Sequence, residues 1–151
     1  MASLTTSREK WDKRFWELAQ FIAKWSKDPD AVIGAVIANE RGVIAMGYNG
    51  FPKGVEDTAE RLNSKEIKLS MVVHAEQNAL LIAGPAAQGA ELFVWGKPVC
   101  STCAGVIIQA RIKRVICKDP KTMPEDSKWK ATGITALKML REAKVEVVCR
   151  E

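Results

Sequence analysis

The chain has 151 residues, the size of one domain with a full hydrophobic core and too small for two. Hydrophobic residues make up 47% and charged residues 27%, so the composition excludes a disordered chain and fits a globular one. The net charge of +5 is spread without a basic block, which favours a small anion over a nucleic acid as partner. We therefore predict a single domain over residues 1–151.

Residues 1–6 lack the basic and apolar pattern of a secretory signal. The longest apolar runs, 31–38 and 79–87, each contain a glycine and are shorter than the ~18 residues of a membrane span. These features predict a cytoplasmic protein, in which the four cysteines are expected to be thiols or metal ligands rather than disulfides.

The first predicted helix begins at a capping box, Thr6-Ser7-Arg8-Glu9. Apolar residues at steps of three and four then form a stripe expected to face the core: Trp11, Phe15, Leu18, Ile22 and Trp25. Asp28-Pro29-Asp30 ends this helix. Runs rich in Val and Ile at 31–38 and 43–48 predict a β-hairpin, and the Gly and Pro residues of 49–54 predict a loop.

The polar stretch 56–70 has no clear period and stays unassigned, whereas 73–83 predicts a buried helix. The later predicted elements are strand 91–95, a helix from Cys100 to about Ala110, strand 114–117, loop 118–125, helix 127–143 and strand 145–149. The order α-β-β-α-β-α-β-α-β predicts a single-domain α/β fold, with a mixed five-stranded sheet covered by helices.

Two short motifs combine into a predicted metal site. Cys100 and Cys103 are three residues apart at a predicted helix start, so their thiols share one helix face. His74 is the only histidine and begins another predicted helix. Two thiolates would neutralise Zn²⁺, and three protein ligands leave a position for water, as in a catalytic site. Cys117 and Cys149 lie in apolar predicted strands and are expected to be small buried residues.

Glu76 follows His74 by two residues, so the two side chains converge only if the helix begins between them. A carboxylate there can act as general acid and base beside a zinc-activated water. Each motif alone is weak, because a Cys-x-x-Cys pair also occurs in structural zinc sites and redox pairs. Together, at two helix starts separated by one strand, they favour a catalytic zinc over a structural one.

The sequence resembles the zinc-dependent cytidine/deoxycytidylate deaminase superfamily, and within it the branch that acts on deoxycytidylate (dCMP). The resemblance covers about residues 11–148. It rests on His74-Ala75-Glu76-Gln77-Asn78-Ala79-Leu80, Cys100-Ser101-Thr102-Cys103-Ala104, Ser26-Lys27-Asp28-Pro29 and the loop Gly47-Tyr48-Asn49-Gly50-Phe51-Pro52-Lys53-Gly54. It implies a three-layer α/β/α cytidine-deaminase-like fold and hydrolytic deamination of dCMP to dUMP and ammonia, which would supply dUMP for dTMP synthesis.

The resemblance also implies roles for individual residues. His74, Cys100 and Cys103 are expected to bind Zn²⁺, and Glu76 is expected to be the proton shuttle. Substrate contacts are expected from Asn49 to the sugar, from the backbone around Ala75 to the pyrimidine, and from Phe51 in the pocket wall. The 5′-phosphate needs a cation, for which Lys27, Lys53 and Lys68 are candidates because they lie near the motifs in sequence.

Further expectations concern partners. Relatives of this kind form homo-oligomers, so a dimer or hexamer is expected, with dCTP and dTTP as allosteric nucleotides and with neither a membrane nor a stable nucleic-acid partner. Three alternatives stay open: action on dCTP or a 5-substituted dCMP, action on a polynucleotide base as in tRNA adenosine deaminases, and a zinc-stabilised binding module without activity. A basic stripe on the surface would indicate a polynucleotide substrate, whereas dispersed charge favours a single nucleotide. Turnover would distinguish an enzyme from a binding module.

The sequence departs from the family pattern at two places. Val99 separates Pro98 from Cys100, where the family usually has Pro directly before the first cysteine, and Trp95 stands in an unusual run before it. Both changes are expected to reshape the substrate pocket.

Overall fold

The computed structural model describes residues 6–151; residues 1–5, which belong to the segment considered for a secretory signal, lie outside the described residues. The helices are α1 (Ser7–Ala23), α2 (Ala59–Asn63), α3 (Lys65–Met71), α4 (Ala75–Ala83), α5 (Ser101–Gln109) and α6 (Lys128–Glu142). The strands are β1 (Gly34–Asn39), β2 (Gly42–Tyr48), β3 (Glu91–Trp95), β4 (Arg114–Lys118) and β5 (Glu146–Arg150). None of the helices in the described part of the chain has the length and apolar character to cross a membrane.

The five strands form one mixed sheet in the order β2-β1-β3-β4-β5. β1 is antiparallel to both neighbours, and β3, β4 and β5 are mutually parallel. The parallel pairs need crossover helices, which α5 and α6 supply. The predicted mixed five-stranded sheet and the predicted element order are therefore confirmed.

The alternation of side chains along β1 divides the core into two layers. Val36 and Ala38 pack with α1 in one cluster, whereas Ala35 and Ile37 pack with α4 and α5 in a larger cluster on the opposite face. The larger cluster also includes Ala136, Leu137 and Leu140 of α6. One helix thus covers one face and three cover the other, which confirms the three-layer α/β/α arrangement.

The two ends of the parallel strands differ in chemistry. Glu91, Arg114 and Glu146 begin β3, β4 and β5, and the buried Arg114 forms ion pairs there with Glu91, Glu146 and Asp12 of α1. Cys100 follows the other end of β3 at the start of α5. In open α/β sheets, ligands bind beyond the carboxyl ends of the strands, so this second end is the one to inspect for a site.

The apolar stripe predicted for α1 is only partly correct. The capping box at Thr6 is present, and Ile22 is buried, but Trp11 and Trp25 at the ends of the stripe are exposed. Asp12 is buried in place of Trp11 because it pairs with Arg114. An apolar period alone could not have revealed this polar contact.

α1 ends at Ala23, before the predicted stop at Asp28-Pro29-Asp30, and further elements also differ from those predicted. β1 begins at Gly34 rather than at residue 31, because the Ala31 carbonyl and the Ile33 N–H bond to the side chain of Asn49. α4 begins at Ala75 rather than 73, and it is not buried all round, since Leu81 and Ile82 are 77% and 66% exposed. The unassigned stretch 56–70 contains the short helices α2 and α3, capped by Thr58 and Ser64.

Candidate active site

Two helix starts meet at the carboxyl end of β3. His74 is the N-cap of α4 and has extended backbone angles (φ −72°, ψ 153°), and its backbone N–H donates to Gln77 Oε1 at 2.9 Å. Cys100 is the N-cap of α5 (φ −83°, ψ 163°), and its sulfur accepts from the Cys103 N–H at 3.4 Å. Both side chains therefore come from the residue just before the helix, where the backbone is free to turn.

The structure brings the three predicted metal ligands together. His74 Nδ1 lies 3.2 Å from Cys103 Sγ and 3.6 Å from Cys100 Sγ, and the three ligand atoms are all within 4.8 Å of one another. Cys103 is buried, whereas Cys100 and His74 are half-buried. One imidazole and two sulfurs are a donor set that Zn²⁺ prefers, and these atoms need only small shifts to surround one ion.

Glu76 lies in the first turn of α4 and is 3% exposed. Its Oε1 has no hydrogen-bond partner among the described residues. A buried carboxylate oxygen without a donor is costly, so it points to a water or substrate group that completes the site. Because His74 is extended and Glu76 helical, residues two apart converge here, as predicted.

The protonation states of the cluster residues and of Glu76 depend on one another. A hydrogen bond from the Cys103 thiol, aided by His74, lowers the pKa of Cys100 to about 4. That bond and burial raise the pKa of Cys103, and the Cys100 thiolate raises the pKa of His74. Burial also raises the pKa of the Glu76 carboxyl above its ordinary value.

The loop at 49–54 is attached directly to the site. Gly50 and Val73 exchange two backbone hydrogen bonds of 3.1 and 2.8 Å, so this loop is bonded to the residue that precedes His74. The buried Asn49 side chain accepts from the Ile33 N–H and donates to the Ala31 carbonyl, both at 2.9 Å. These contacts fix the loop, and a contact of Asn49 with a sugar stays a prediction.

Two other predicted substrate residues, Ala75 and Phe51, differ in their position relative to the metal cluster. Ala75 is fully buried in the first turn of α4, between His74 and Glu76. Phe51 is half-buried and lines a cavity of about 150 Å³ together with Asn49 and Lys68. No metal-cluster residue lines that cavity.

The basic residues predicted to meet a phosphate are mostly engaged elsewhere. The buried Lys68 ammonium contacts Asp28 Oδ1 at 2.9 Å and also Asp30. Lys27 Nζ contacts Asp57 Oδ2 at 2.8 Å. Lys53 is exposed in the loop.

The two departures from the family pattern occupy the core. Trp95 packs with the cluster on the α1 face of the sheet, whereas Cys103 belongs to the cluster on the opposite face. Its bulk therefore lies on the face of the sheet opposite to Cys103, and an effect on the substrate pocket stays a prediction. Val99 is 1% exposed and belongs to the core that supports the start of α5.

Comparison with known proteins agrees with this geometry. Residues 9–119 match the family described as the cytidine and deoxycytidylate deaminase zinc-binding region. The chain belongs to this family. The matched region contains the cluster of His74, Cys100 and Cys103, and the cofactor of the cluster is Zn²⁺.

Individual members of the deaminase family align over most of the chain. An uncharacterized deaminase from the luxG 3′ region of Aliivibrio fischeri is 38% identical over 138 residues, covering 91% of this chain and 92% of that protein. The deoxycytidylate deaminase of Mus musculus is 39% identical over 121 residues, covering 74% of this chain and 66% of that protein. That of Homo sapiens is 37% identical over 126 residues, covering 78% and 69%.

The fold of this deaminase also has solved counterparts. A dCMP deaminase from the cyanophage S-TIM5, in complex with dCMP and dUMP, superposes with a TM-score of 0.72 over 97% of this chain and 100% of that one, at 22% identity. At this identity the likeness supports the fold.

Sequence reasoning missed one neighbour of the site, the start of α6. The Ser101 N–H donates to Thr132 Oγ1 at 2.9 Å, and Thr132 Oγ1 donates to Ser101 Oγ at 3.1 Å. This places the first turns of α6 beside the residue that follows Cys100. No local pattern of the sequence indicates this long-range contact of Thr132 with Ser101.

Proposed function

We propose that this protein deaminates dCMP hydrolytically to dUMP and ammonia. The observation that carries this is the buried Glu76 carboxylate, with an unpartnered oxygen, beside a set of one imidazole and two thiols. The mouse and human relatives carry the name deoxycytidylate deaminase, and this name supports dCMP as the substrate among the cytosine compounds.

His74, Cys100 and Cys103 would hold the zinc ion. When bound, zinc lowers the pKa of water and so supplies the nucleophile at neutral pH. The ligands come from the starts of α4 and α5, so two helix N-termini lie at the cluster. The partial positive charge of a helix N-terminus favours the thiolate forms of both cysteines.

Glu76 moves the protons. Its carboxylate accepts a proton from the attacking water and delivers it to N3 of the cytosine ring as the oxygen adds to C4. Glu76 then takes the remaining proton from the hydroxyl on C4 and passes it to the exocyclic nitrogen, so that the C4–N4 bond breaks, the C4 carbonyl forms and ammonia leaves. The raised pKa of this buried carboxyl favours the first step, because a more basic carboxylate accepts a proton more readily.

The test is an ammonia-release assay on the zinc-loaded protein with dCMP, dCTP, deoxycytidine, CMP, 5-substituted dCMP, single-stranded DNA and tRNA. We expect dCMP to have the highest kcat/KM. A higher kcat/KM for dCTP or 5-methyl-dCMP would reassign the nucleotide, and turnover confined to a polynucleotide would reject the proposal. Absence of turnover with every compound would favour a binding module. Adding dCTP or dTTP tests the predicted allosteric control.

We propose that a second copy of the chain binds to the uncharged surface formed by β2 and α4. Its exposed members are Met46, Tyr48, Leu81 and Ile82. Within the part of the chain that the structure describes, no charged residue lines the groove between them, and β2 is the edge of the sheet. A two-fold interface sets each patch against itself, so an uncharged apolar patch is self-complementary.

Light scattering after size-exclusion chromatography tests this surface. We expect the wild-type chain to be a dimer or larger and Leu81→Lys to be a monomer. Ile134→Lys, at an exposed position of α6, is the control and should leave the assembly intact. A monomeric wild type, or an assembly that Leu81→Lys leaves unchanged, would contradict the proposal.

A further inference from the structure

The backbone on both sides of Cys100 is held by another helix, α6. Pro98, two residues before Cys100, is fully buried, and a Cβ at Gly133 of α6 would lie 3.0 Å from its Cβ. Ser101, the residue after Cys100, is bonded to Thr132 of α6. Two consecutive residues of α6 therefore contact the chain just before and just after this metal ligand.

Thr132 makes two hydrogen bonds to Ser101 with a single hydroxyl. Thr132 Oγ1 accepts from the Ser101 N–H at 2.9 Å and donates to Ser101 Oγ at 3.1 Å. Ser101 is the first residue of α5, where a backbone N–H has no acceptor within its own helix. The hydroxyl of Thr132 supplies that acceptor from a residue 31 positions along the chain.

These bonds fix the peptide group that joins Cys100 to Ser101. Its carbonyl accepts from the Ala104 N–H at 2.9 Å, and its N–H is the one that Thr132 binds. Because both polar atoms are held, rotation about the Cα–C bond of Cys100, whose ψ is 163°, is restricted. This angle places the Cβ of Cys100 relative to α5, the helix that carries the other thiol ligand, Cys103.

α6 is anchored independently of the metal cluster. Ala136 and Leu140 of this helix are fully buried in the core on the α5 face of the sheet, and Trp129 packs against the same core. Thr132 is half-buried and lies one turn before Ala136 on the same face of α6. The hydroxyl is therefore presented to α5 by a helix whose position the core already fixes.

We propose that Thr132 is a positioning residue for the zinc site. Its hydroxyl holds the start of α5 in the conformation that presents Cys100 to the metal, so zinc affinity depends on the packing of α6, which carries none of the three ligands. Groups that orient metal ligands typically contribute about 10- to 100-fold in metal affinity. The inference concerns zinc binding and does not depend on which nucleotide is the substrate.

Competition with a chelator measures the zinc Kd of the wild type, Thr132→Val and Thr132→Ser. Valine removes the hydroxyl and nearly keeps the volume, whereas serine keeps the hydroxyl. We expect Kd to rise by about 10-fold in Thr132→Val and to stay close to the wild-type value in Thr132→Ser. Thr135→Val is the matched control, because the exposed Thr135 donates to the Ala131 carbonyl of its own helix at 3.2 Å, and it should leave Kd unchanged.

The visible absorption spectrum of the Co²⁺-loaded protein reports the geometry of the site, since Co²⁺ binds the same nitrogen and sulfur donors. We expect the cobalt bands to shift in Thr132→Val and to match the wild type in Thr135→Val. Urea denaturation of the zinc-free proteins separates this effect from a loss of stability.

A lower free energy of unfolding in Thr132→Val, with zinc Kd and cobalt spectrum unchanged, would overturn the inference and assign Thr132 a role in stability only. An equal rise in Kd for Thr135→Val would also overturn it. Thr132→Ala, which lacks the hydroxyl too, should raise Kd as Thr132→Val does. A rise confined to valine would attribute the effect to its added methyl group and contradict the proposal.

Discussion

His74 and Glu76 are separated by one residue, a spacing that would place them on opposite sides of a continuous helix. They share a site because α4 begins at Ala75, so His74 keeps extended backbone while Glu76 is helical. The sequence was sufficient to predict this, since a histidine and a carboxylate two apart can converge only at a helix start. It was not sufficient to predict the partners of Asn49 or Lys68, which depend on segments far apart in the chain.

Glu76→Gln should abolish turnover and leave zinc in place. Glutamine keeps the shape of the side chain but cannot take the proton, so kcat should fall by about 10²–10⁴-fold or more. Metal analysis of the purified variant should still give about one zinc per chain, because Glu76 is not among the ligands. Near-normal kcat would reject Glu76 as the proton shuttle.

Removing zinc should expose a reactive thiolate at Cys100. Its pKa of about 4 keeps it ionised, so iodoacetamide should modify it at a nearly constant rate between about pH 6 and pH 8. Cys103, whose pKa is raised, should react far more slowly over the same range. Mass spectrometry of the modified peptides provides the measurement, with zinc-loaded protein as the protected control. A Cys100 rate that rises tenfold per pH unit would contradict the assignment.

At the scale of elements, the sheet and the long helices could be predicted because their signals are local. Runs of Val and Ile, Gly-Pro breaks and capping boxes lie within a few residues of the boundaries they set, as the capping box at Thr6 does for α1. The helices α2 and α3 escaped because they are short and polar, and their caps at Thr58 and Ser64 are not followed by an apolar period. The contact of α6 with α5 escaped because Ser101 and Thr132 are 31 residues apart.

β2 packs closely against α4, the helix that carries Glu76, and this packing positions the site. A substitution at Gly47 tests this contact. A Cβ at Gly47 would lie 2.5 Å from the Ala75 carbonyl oxygen and 2.6 Å from the Ala79 nitrogen. Gly47→Ala should therefore push α4 away, lower the free energy of unfolding by about 1–3 kcal/mol and weaken zinc binding.

Gly105→Ala is the matched control for this substitution. Gly105 is inside α5, and its nearest contact to an added Cβ would be Met139 Cε at 3.9 Å, an ordinary separation. This change should stabilise the helix by about 0.4–1 kcal/mol in urea denaturation. Equal stability of Gly47→Ala and the wild type would show that the contact between β2 and α4 is not tight.

In the whole molecule, the buried ion pairs of Arg114 and the metal cluster lie at opposite ends of the parallel strands. The buried ion pair of Arg114 with Asp12 fixes α1 to the start of β4, whereas the metal cluster lies beyond the end of β3. The two ends should therefore respond separately to substitution.

Asp12→Asn should reduce stability without changing the chemistry. It leaves the buried Arg114 charge without its bidentate partner, so the free energy of unfolding should fall by on the order of 3 kcal/mol. The kcat of the folded, zinc-loaded variant should match the wild type. Lys13→Gln, which breaks only an exposed pair with Glu17, should cost less than about 1 kcal/mol in the same urea denaturation. A fall in kcat comparable to that of Glu76→Gln would contradict this separation.

The stoichiometry of the reaction with dCMP tests most directly whether this protein deaminates dCMP by hydrolysis. Zinc-loaded protein is incubated with dCMP in water enriched in ¹⁸O, and ammonia, dUMP and the isotope in dUMP are quantified together. We expect one ammonia per dUMP, with the label at the C4 oxygen, and no turnover by Glu76→Gln under the same conditions. Unchanged dCMP, or dUMP formed equally well by Glu76→Gln, would contradict it.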